Sequence, residues 1–104
     1  MIVVTTEQIP GRQITKTLGV VKGNTVRARD FAKDFAAFLK NLVGGELIEY
    51  TEVIAQSREQ AMDRMVEEAE GLGADAIVGL RFSTCYITKG AAEIMAYGTA
   101  VILE

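Results

Sequence analysis

Cys85 carries the one thiol of this sequence, and the chain contains no histidine. The thiol is therefore the first side chain to consider for metal binding or nucleophilic chemistry. Soft metal ions take thiolate and imidazole ligands, usually three or four of them at fixed spacing. A closed metal site within one chain is therefore excluded, although an assembly could bring copies of Cys85 together as thiolate ligands. The simpler interpretation of Cys85 is a small buried side chain that fills a tight strip.

Two arginines fall in segments whose other residues are apolar at regular spacing. Arg58 lies between Ile54 and Ala61 on the inward stripe of a predicted helix, and a buried guanidinium must be paired. Arg58 is thus predicted to clamp an anion or carboxylate at a subunit boundary, or to form a structural ion pair with an acid of its own or a neighbouring chain. The same two interpretations apply to Arg81.

Two further patterns contain polar groups at suggestive spacing. Glu93 and Tyr97 stand four residues apart on one face of a predicted strand. They could act as a catalytic acid and the polar group that orients it, or they could form a hydrogen bond at the rim of the protein. Gly44 and Gly45 before Glu46 could expose amides that attract an anion at a helix start. A tight turn between helices needs the same glycines, and no Gly-rich nucleotide motif with its lysine follows.

Catalysis has few candidate groups in this chain. Without histidine there is no ordinary base near neutral pH, Cys85 has no imidazole partner, and the serines lack a triad. The enzymatic alternative is an inter-subunit site formed by Arg58, Arg81, Glu93 and Tyr97. We instead predict an oligomeric binding or storage module, whose metal ion or small molecule would lie at subunit boundaries or at the centre of a ring.

Composition limits the partners of this protein. The 104 residues suit one domain, residues 1–104, and their net charge of -3 has the wrong sign for binding a phosphate backbone. No apolar run approaches the roughly 18 residues of a membrane span, and a single cysteine fits the reducing cytoplasm. Hydrophobic residues make up 49% with 10 further glycines, above the usual share of about 45–50% for both together. We therefore expect another subunit to cover part of the apolar surface.

The elements that must position these groups follow from periodicity and from the glycines. In chain order they are a short strand at 2–4, a strand at 14–21, a turn at Gly23-Asn24, a helix that begins after Asp30 and ends at Gly44-Gly45, a long helix over 46–72, and strands at 76–87 and 92–103 joined by Lys89-Gly90. The chain is thus predicted to form two layers, an antiparallel sheet with two helices on one of its faces.

A two-residue loop at Lys89-Gly90 fixes the predicted register of the last two strands. It places Phe82 opposite Tyr97, and likewise Leu80 opposite Thr99 and Val78 opposite Val101, on the face toward the helices. The other face would pair Arg81 with Gly98 within a strip of small residues that also holds Cys85. Two helices cover only one side of a sheet, so this strip is predicted to dock on a neighbouring copy.

Several short motifs together resemble one family over nearly the whole chain. They are Thr5-Thr6 with Ile9-Pro10-Gly11, the turn from Leu18 to Gly23, Gly44-Gly45-Glu46 with Tyr50-Thr51, Arg58 with Ala61, Gly73-Ala74-Asp75-Ala76, and Glu93-Ile94 with Ala96 to Val101. In order and spacing they resemble the YbjQ-like family of small cytoplasmic bacterial and archaeal proteins, which carries a heavy-metal-binding label. The resemblance implies an α+β subunit similar to the dodecin β-α-β-β layer, assembled as a ring-shaped homopentamer.

Overall fold

The computed structural model of the protein describes residues 1–28, 48–88 and 91–104. Its elements are β1 (Ile2–Val3), β2 (Ile14–Ala28), α1 (Ile48–Gly71), β3 (Ala76–Thr88) and β4 (Ala91–Leu103). The predicted α+β class is confirmed. The predicted helix after Asp30, the Gly44-Gly45 turn and the Lys89-Gly90 loop lie outside the described residues.

The four strands form one sheet in the order β1-β3-β4-β2. Both β2 and β3 run antiparallel to the central strand β4, whereas β1 runs parallel to β3. The sheet is therefore mixed, and the prediction of a wholly antiparallel sheet was wrong. A parallel pair needs a long crossover connection, and here the whole chain between β1 and β3 supplies it.

Strand β2 continues through Gly23 and Asn24, where the sequence predicted a turn. A Cβ atom on Gly23 would collide with the backbone oxygen of Ala61 and the backbone nitrogen of Met65. This glycine therefore lets helix α1 approach the strand closely, which is the other common use of glycine besides a turn.

Helix α1 lies mainly over β2 and β4. Its buried stripe recurs every four residues at Ser57, Ala61, Met65 and Ala69, each 0% exposed. The long predicted helix is thus confirmed, with an inward stripe that runs through Ser57. Arg58 is exposed, because the next residue along a helix is rotated about 100° away from that stripe.

Pairing of β3 with β4 starts at Thr88 opposite Ala91 and then shifts twice, once between Tyr86 and Thr88 and once between Val78 and Arg81. Gly79, inside the second shift, has a left-handed φ of 67°, as expected at a β-bulge. The predicted register lacked these irregularities and was wrong. Arg81 pairs with Tyr97 instead of Gly98, and Phe82 pairs with Ala96.

The shifted register changes which side chains face the helix. One buried cluster lies between α1 and the sheet, and it contains Val21, Ala61, Met65, Ala69, Ile77, Leu80, Ala96 and Ala100. The small residues of β4 are therefore covered by the chain's own helix and do not form the predicted docking strip. Of the β3 side chains predicted to meet the helices, Leu80 does so, whereas Phe82 is 45% exposed.

We call the sheet face turned away from α1 the outer face. A second buried cluster lies there, formed by Ala76, Val78, Val101 and Leu103, and it is covered by Val4, Ile9 and Ile14 from the beginning of the chain. The N-terminal segment thus covers one end of the outer face.

Candidate functional site

Four of the predicted site residues meet on the outer face. The register sets Arg81 opposite Tyr97, and Cys85 opposite Glu93. Directly opposed residues of antiparallel strands stand about 4.5–5.5 Å apart. The predicted register had placed the β3 pair and the β4 pair on different faces, so their meeting is a consequence of the register shift between Tyr86 and Thr88.

Two residues of β2 complete the outer face, and sequence reasoning missed both. Lys22 lies opposite Tyr97, and Asn24 lies opposite Met95. The row Lys22, Tyr97, Arg81 therefore sets a cation on each side of an aromatic ring. The missed signal was the alternation of Val20, Lys22, Asn24 and Val26 with inward residues, which the predicted turn had interrupted.

Arg81 joins the outer face to the N-terminal segment. Its Nη1 donates to the backbone oxygens of Thr5, at 2.9 Å, and Leu80, at 2.7 Å. The side chain is exposed in a single chain. A guanidinium has five N–H donors, so these two bonds leave donors for a ligand.

Glu93 is half-buried and oriented by β2. Its Oε2 accepts a hydrogen bond of 3.0 Å from Nδ2 of Asn24, and Arg64 on α1 donates to the backbone oxygen of the same asparagine. The carboxylate is thus held in place on the outer face by a neutral donor. Tyr97, the other member of the predicted pair, is also half-buried.

Cys85 is exposed in a single chain, so its side chain does not fill a gap in the core of one subunit. Among the described residues, no three histidine, cysteine, aspartate or glutamate side chains are close enough to hold a metal ion. The whole sequence contains no histidine and one cysteine. The donors of one chain therefore do not fit a heavy metal ion, which needs several soft ligands.

The remaining predicted residues do not join this group. Arg58 is exposed on α1, which packs on the opposite face of the sheet, so one chain does not assemble the four-residue enzymatic constellation. Gly44, Gly45 and Glu46 lie outside the described residues. An open cavity of about 310 Å³ lined by Gln8, Arg12, Gln13 and Ile14 contains none of the predicted site residues. In the described part of the chain, no helix could span a membrane.

Comparison with known proteins decides the family. All of residues 1–104 match the YbjQ family model, described as "Putative heavy-metal-binding". The chain belongs to the YbjQ family. A UPF0145 protein of Clostridioides difficile is 51% identical over 104 residues, covering 100% of this chain and 93% of that protein. A UPF0145 protein of Thermotoga maritima is 53% identical over 104 residues, with coverage of 100% and 98%.

A solved structure supports the YbjQ fold. A protein with unknown function from Pediococcus pentosaceus, of the DUF74 family, superposes with a TM-score of 0.64 at 18% identity. The match covers 100% of this chain and 98% of the other. At this identity the likeness concerns the fold alone. The description of the YbjQ family names a heavy metal, but the donor set of one chain does not provide its ligands.

Proposed function

We propose that this protein is a binding or storage module that works as a homo-oligomer and holds a small anionic ligand on the outer face of its sheet. The observation that carries the proposal is the row of Lys22, Tyr97 and Arg81, in which two cations flank an aromatic ring. Such a row suits a flat molecule with a negatively charged group, since cations attract the charge and the ring offers apolar contact.

The exposed area and the radius of gyration of one chain support its assembly into an oligomer. It exposes 6824 Å², whereas a compact monomer of 11.3 kDa exposes roughly 5,700 Å². Its radius of gyration is 17.0 Å, against about 13 Å for a compact chain of this length. Both excesses are expected of a subunit that packs against others. A ring of five, the number implied by resemblance to the YbjQ-like family, is the assembly that we propose, in a reducing cytoplasm.

The experiment measures assembly and ligand together. Protein purified without chelator is analysed by light scattering and by native mass spectrometry. We expect a closed oligomer of about five subunits that retains a small anionic molecule, and Lys22→Ala should lose most of that molecule while keeping the oligomer. Lys16→Ala is the matched control, because it removes an exposed lysine from the same strand but outside the row. A monomer at micromolar concentration, or equal retention by both variants, would contradict the proposal.

A second candidate is metal sequestration by thiols, favoured by the pairing of Cys85 with Glu93. Each copy would offer one sulfur and one carboxylate, so an ion would need several copies. Plasma mass spectrometry of the purified protein tests this candidate. Metal content that is unchanged in Cys85→Ser removes it, whereas metal lost in Cys85→Ser but kept in Lys22→Ala would favour it over the anion.

A further inference from the structure

The charge of the outer face reverses along β4. Tyr97 lies between two cations, Lys22 on β2 and Arg81 on β3. Alternate residues of a strand share a face, so Met95 and then Glu93 follow Tyr97 on the outer face. Four residues of an antiparallel strand span about 13 Å between the Cα atoms of Tyr97 and Glu93. The outer face therefore has a cationic end and an acidic end.

The carboxylate of Glu93 is half-buried among neutral groups. The side chains that surround it on the outer face belong to Asn24, Val26, Ser83, Cys85 and Met95. None of these five residues is a cation. Partly buried carboxylates are usually paired with a cation or with several hydrogen-bond donors. The surroundings of Glu93 on its own face thus leave its negative charge to be matched by a ligand.

Glu93 is also held ready to accept further hydrogen bonds. A carboxylate has about four lone-pair sites, and the bond from Nδ2 of Asn24 occupies one of them on Oε2. Asn24 is itself fixed by the sheet and by the bond from Arg64 to its backbone oxygen. A group that is oriented before binding loses less freedom when the ligand arrives, so Glu93 is suited to bind an amino group.

A neutral stretch separates the two charged ends. Met95 lies there between Asn24 and Ser83, its partners on β2 and β3, and its side chain is partly exposed. A thioether makes favourable contacts with aromatic rings, and the ring of Tyr97 offers apolar contact beside it. The middle of the outer face therefore suits a flat apolar group.

The distance between the two ends lets them act separately. At physiological ionic strength the interaction between exposed charges is largely screened beyond about 8 Å. Glu93 and the two cations stand farther apart than this along β4, so the acid does not neutralise the cations. Each end can then bind a ligand group of the opposite charge.

We propose that the ligand of the outer face is an elongated zwitterion. Its negative group binds Lys22 and Arg81, its flat apolar middle lies over Tyr97 and Met95, and its amino group binds Glu93. This inference rests on the anion site proposed above and adds the group that recognises the other end of the ligand. Glu93 is the residue that distinguishes zwitterions from simple anions.

Two matched probes test the amino end. One is a biphenyl that carries a carboxylate at one end and an aminomethyl group at the other, and the second is the same biphenyl carboxylate without the aminomethyl group. Isothermal titration calorimetry near neutral pH measures their affinities for the purified protein. We expect the zwitterion to bind at least about tenfold more tightly, the size of one charge-assisted hydrogen bond.

Three variants assign the preference to named residues. Glu93→Gln keeps the shape of the side chain and removes its charge, so this variant should bind the two probes alike. Glu59→Gln removes an exposed acid from α1, which packs on the opposite face, and should keep the full preference. Lys22→Ala should weaken both probes by a similar factor, because both carry the carboxylate.

The possible results separate this inference from the proposed function. Equal affinity of the unsubstituted protein for the two probes would overturn the amino end and leave the anion site standing. A preference that survives in Glu93→Gln would overturn it as well, since another group would then bind the amine. Failure of both probes to bind would also overturn it, whereas the proposed function is decided separately by the molecule that the purified protein retains and Lys22→Ala loses.

Discussion

Thr25 on β2 donates a hydrogen bond of 3.1 Å from its hydroxyl to the backbone oxygen of Ser57 on α1. The two residues are 1% and 0% exposed, so this polar contact lies inside the apolar layer between helix and sheet. It fixes the position of the helix along β2, because a buried hydroxyl that loses its partner is costly.

Thr25→Val tests the value of this contact. It removes the hydroxyl and keeps the shape, and we expect a loss of about 1–2 kcal/mol in the free energy of unfolding. Urea denaturation measures the change. Thr15→Val is the control, since its hydroxyl bonds to Ile102 in an exposed position and should cost less than about 0.5 kcal/mol. Equal losses in the two variants would contradict the assignment.

Gly23→Ala tests the close approach of helix and strand. The added Cβ would meet backbone atoms of Ala61 and Met65, which cannot move without displacing α1. We expect a loss of about 3 kcal/mol or more, at the upper end of overpacking effects, measured by thermal or urea unfolding. Gly71→Ala, where no atom lies within 4 Å of the added Cβ, should change stability by less than about 0.5 kcal/mol. A folded Gly23→Ala variant of ordinary stability would show that the strand does not lie against the helix.

Arg81→Gln tests the link to the N-terminal segment. Without the bond to Thr5 we expect the amides of Gly79 and Leu80, which donate to that segment, to exchange hydrogen several-fold faster by local opening. Global stability should fall by less than about 1 kcal/mol because the side chain is exposed. Arg58→Gln is the matched control and should leave exchange at both amides unchanged. Faster exchange in both variants would point to a general loss of stability.

Met65→Ala tests the core beneath α1. Met65 is 0% exposed, so its truncation should cost about 2–5 kcal/mol. Met62 lies at the margin of the same cluster and is only partly buried. Met62→Ala should therefore cost clearly less in the same denaturation experiment. Equal costs would mean that the helix is rotated about its axis relative to the sheet.

Most elements of the described chain could be predicted from periodicity. The α1 stripe through Ala61, Met65 and Ala69 and the alternation along β3 and β4 each involve many residues, so their types were predicted correctly. Gly23 was misread because a glycine needed for helix contact and a glycine needed for a turn look alike in a sequence. The alternation on both sides of Gly23 was the better guide.

The site could be predicted only in part. Arg81, Glu93, Tyr97 and Cys85 could be selected from the chemistry of their side chains. That they meet on one face of the sheet depends on an irregularity in strand pairing, which a hydrophobic pattern does not locate. Arg58 was predicted to face inward because it has helical spacing to both Ile54 and Ala61. Ser57 has helical spacing to Ala61 as well, and it is Ser57 that lies on the buried side of the helix. Lys22 and Asn24 were not selected, because the predicted turn at Gly23-Asn24 ended the strand before it reached them.

The bulge at Gly79 gives β3 one residue more than β4 between two paired rows, since two residues separate Val78 from Arg81 and one separates Thr99 from Tyr97. A regular strand of unchanged length would exchange the two faces of β3 beyond that point. The arginine and the thiol would then lie under the helix, while Phe82 would turn toward the row of Lys22 and Tyr97. Deleting one residue at the bulge would instead restore regular pairing and keep both groups on the outer face, so shortening this stretch should be tolerated better than straightening it at constant length.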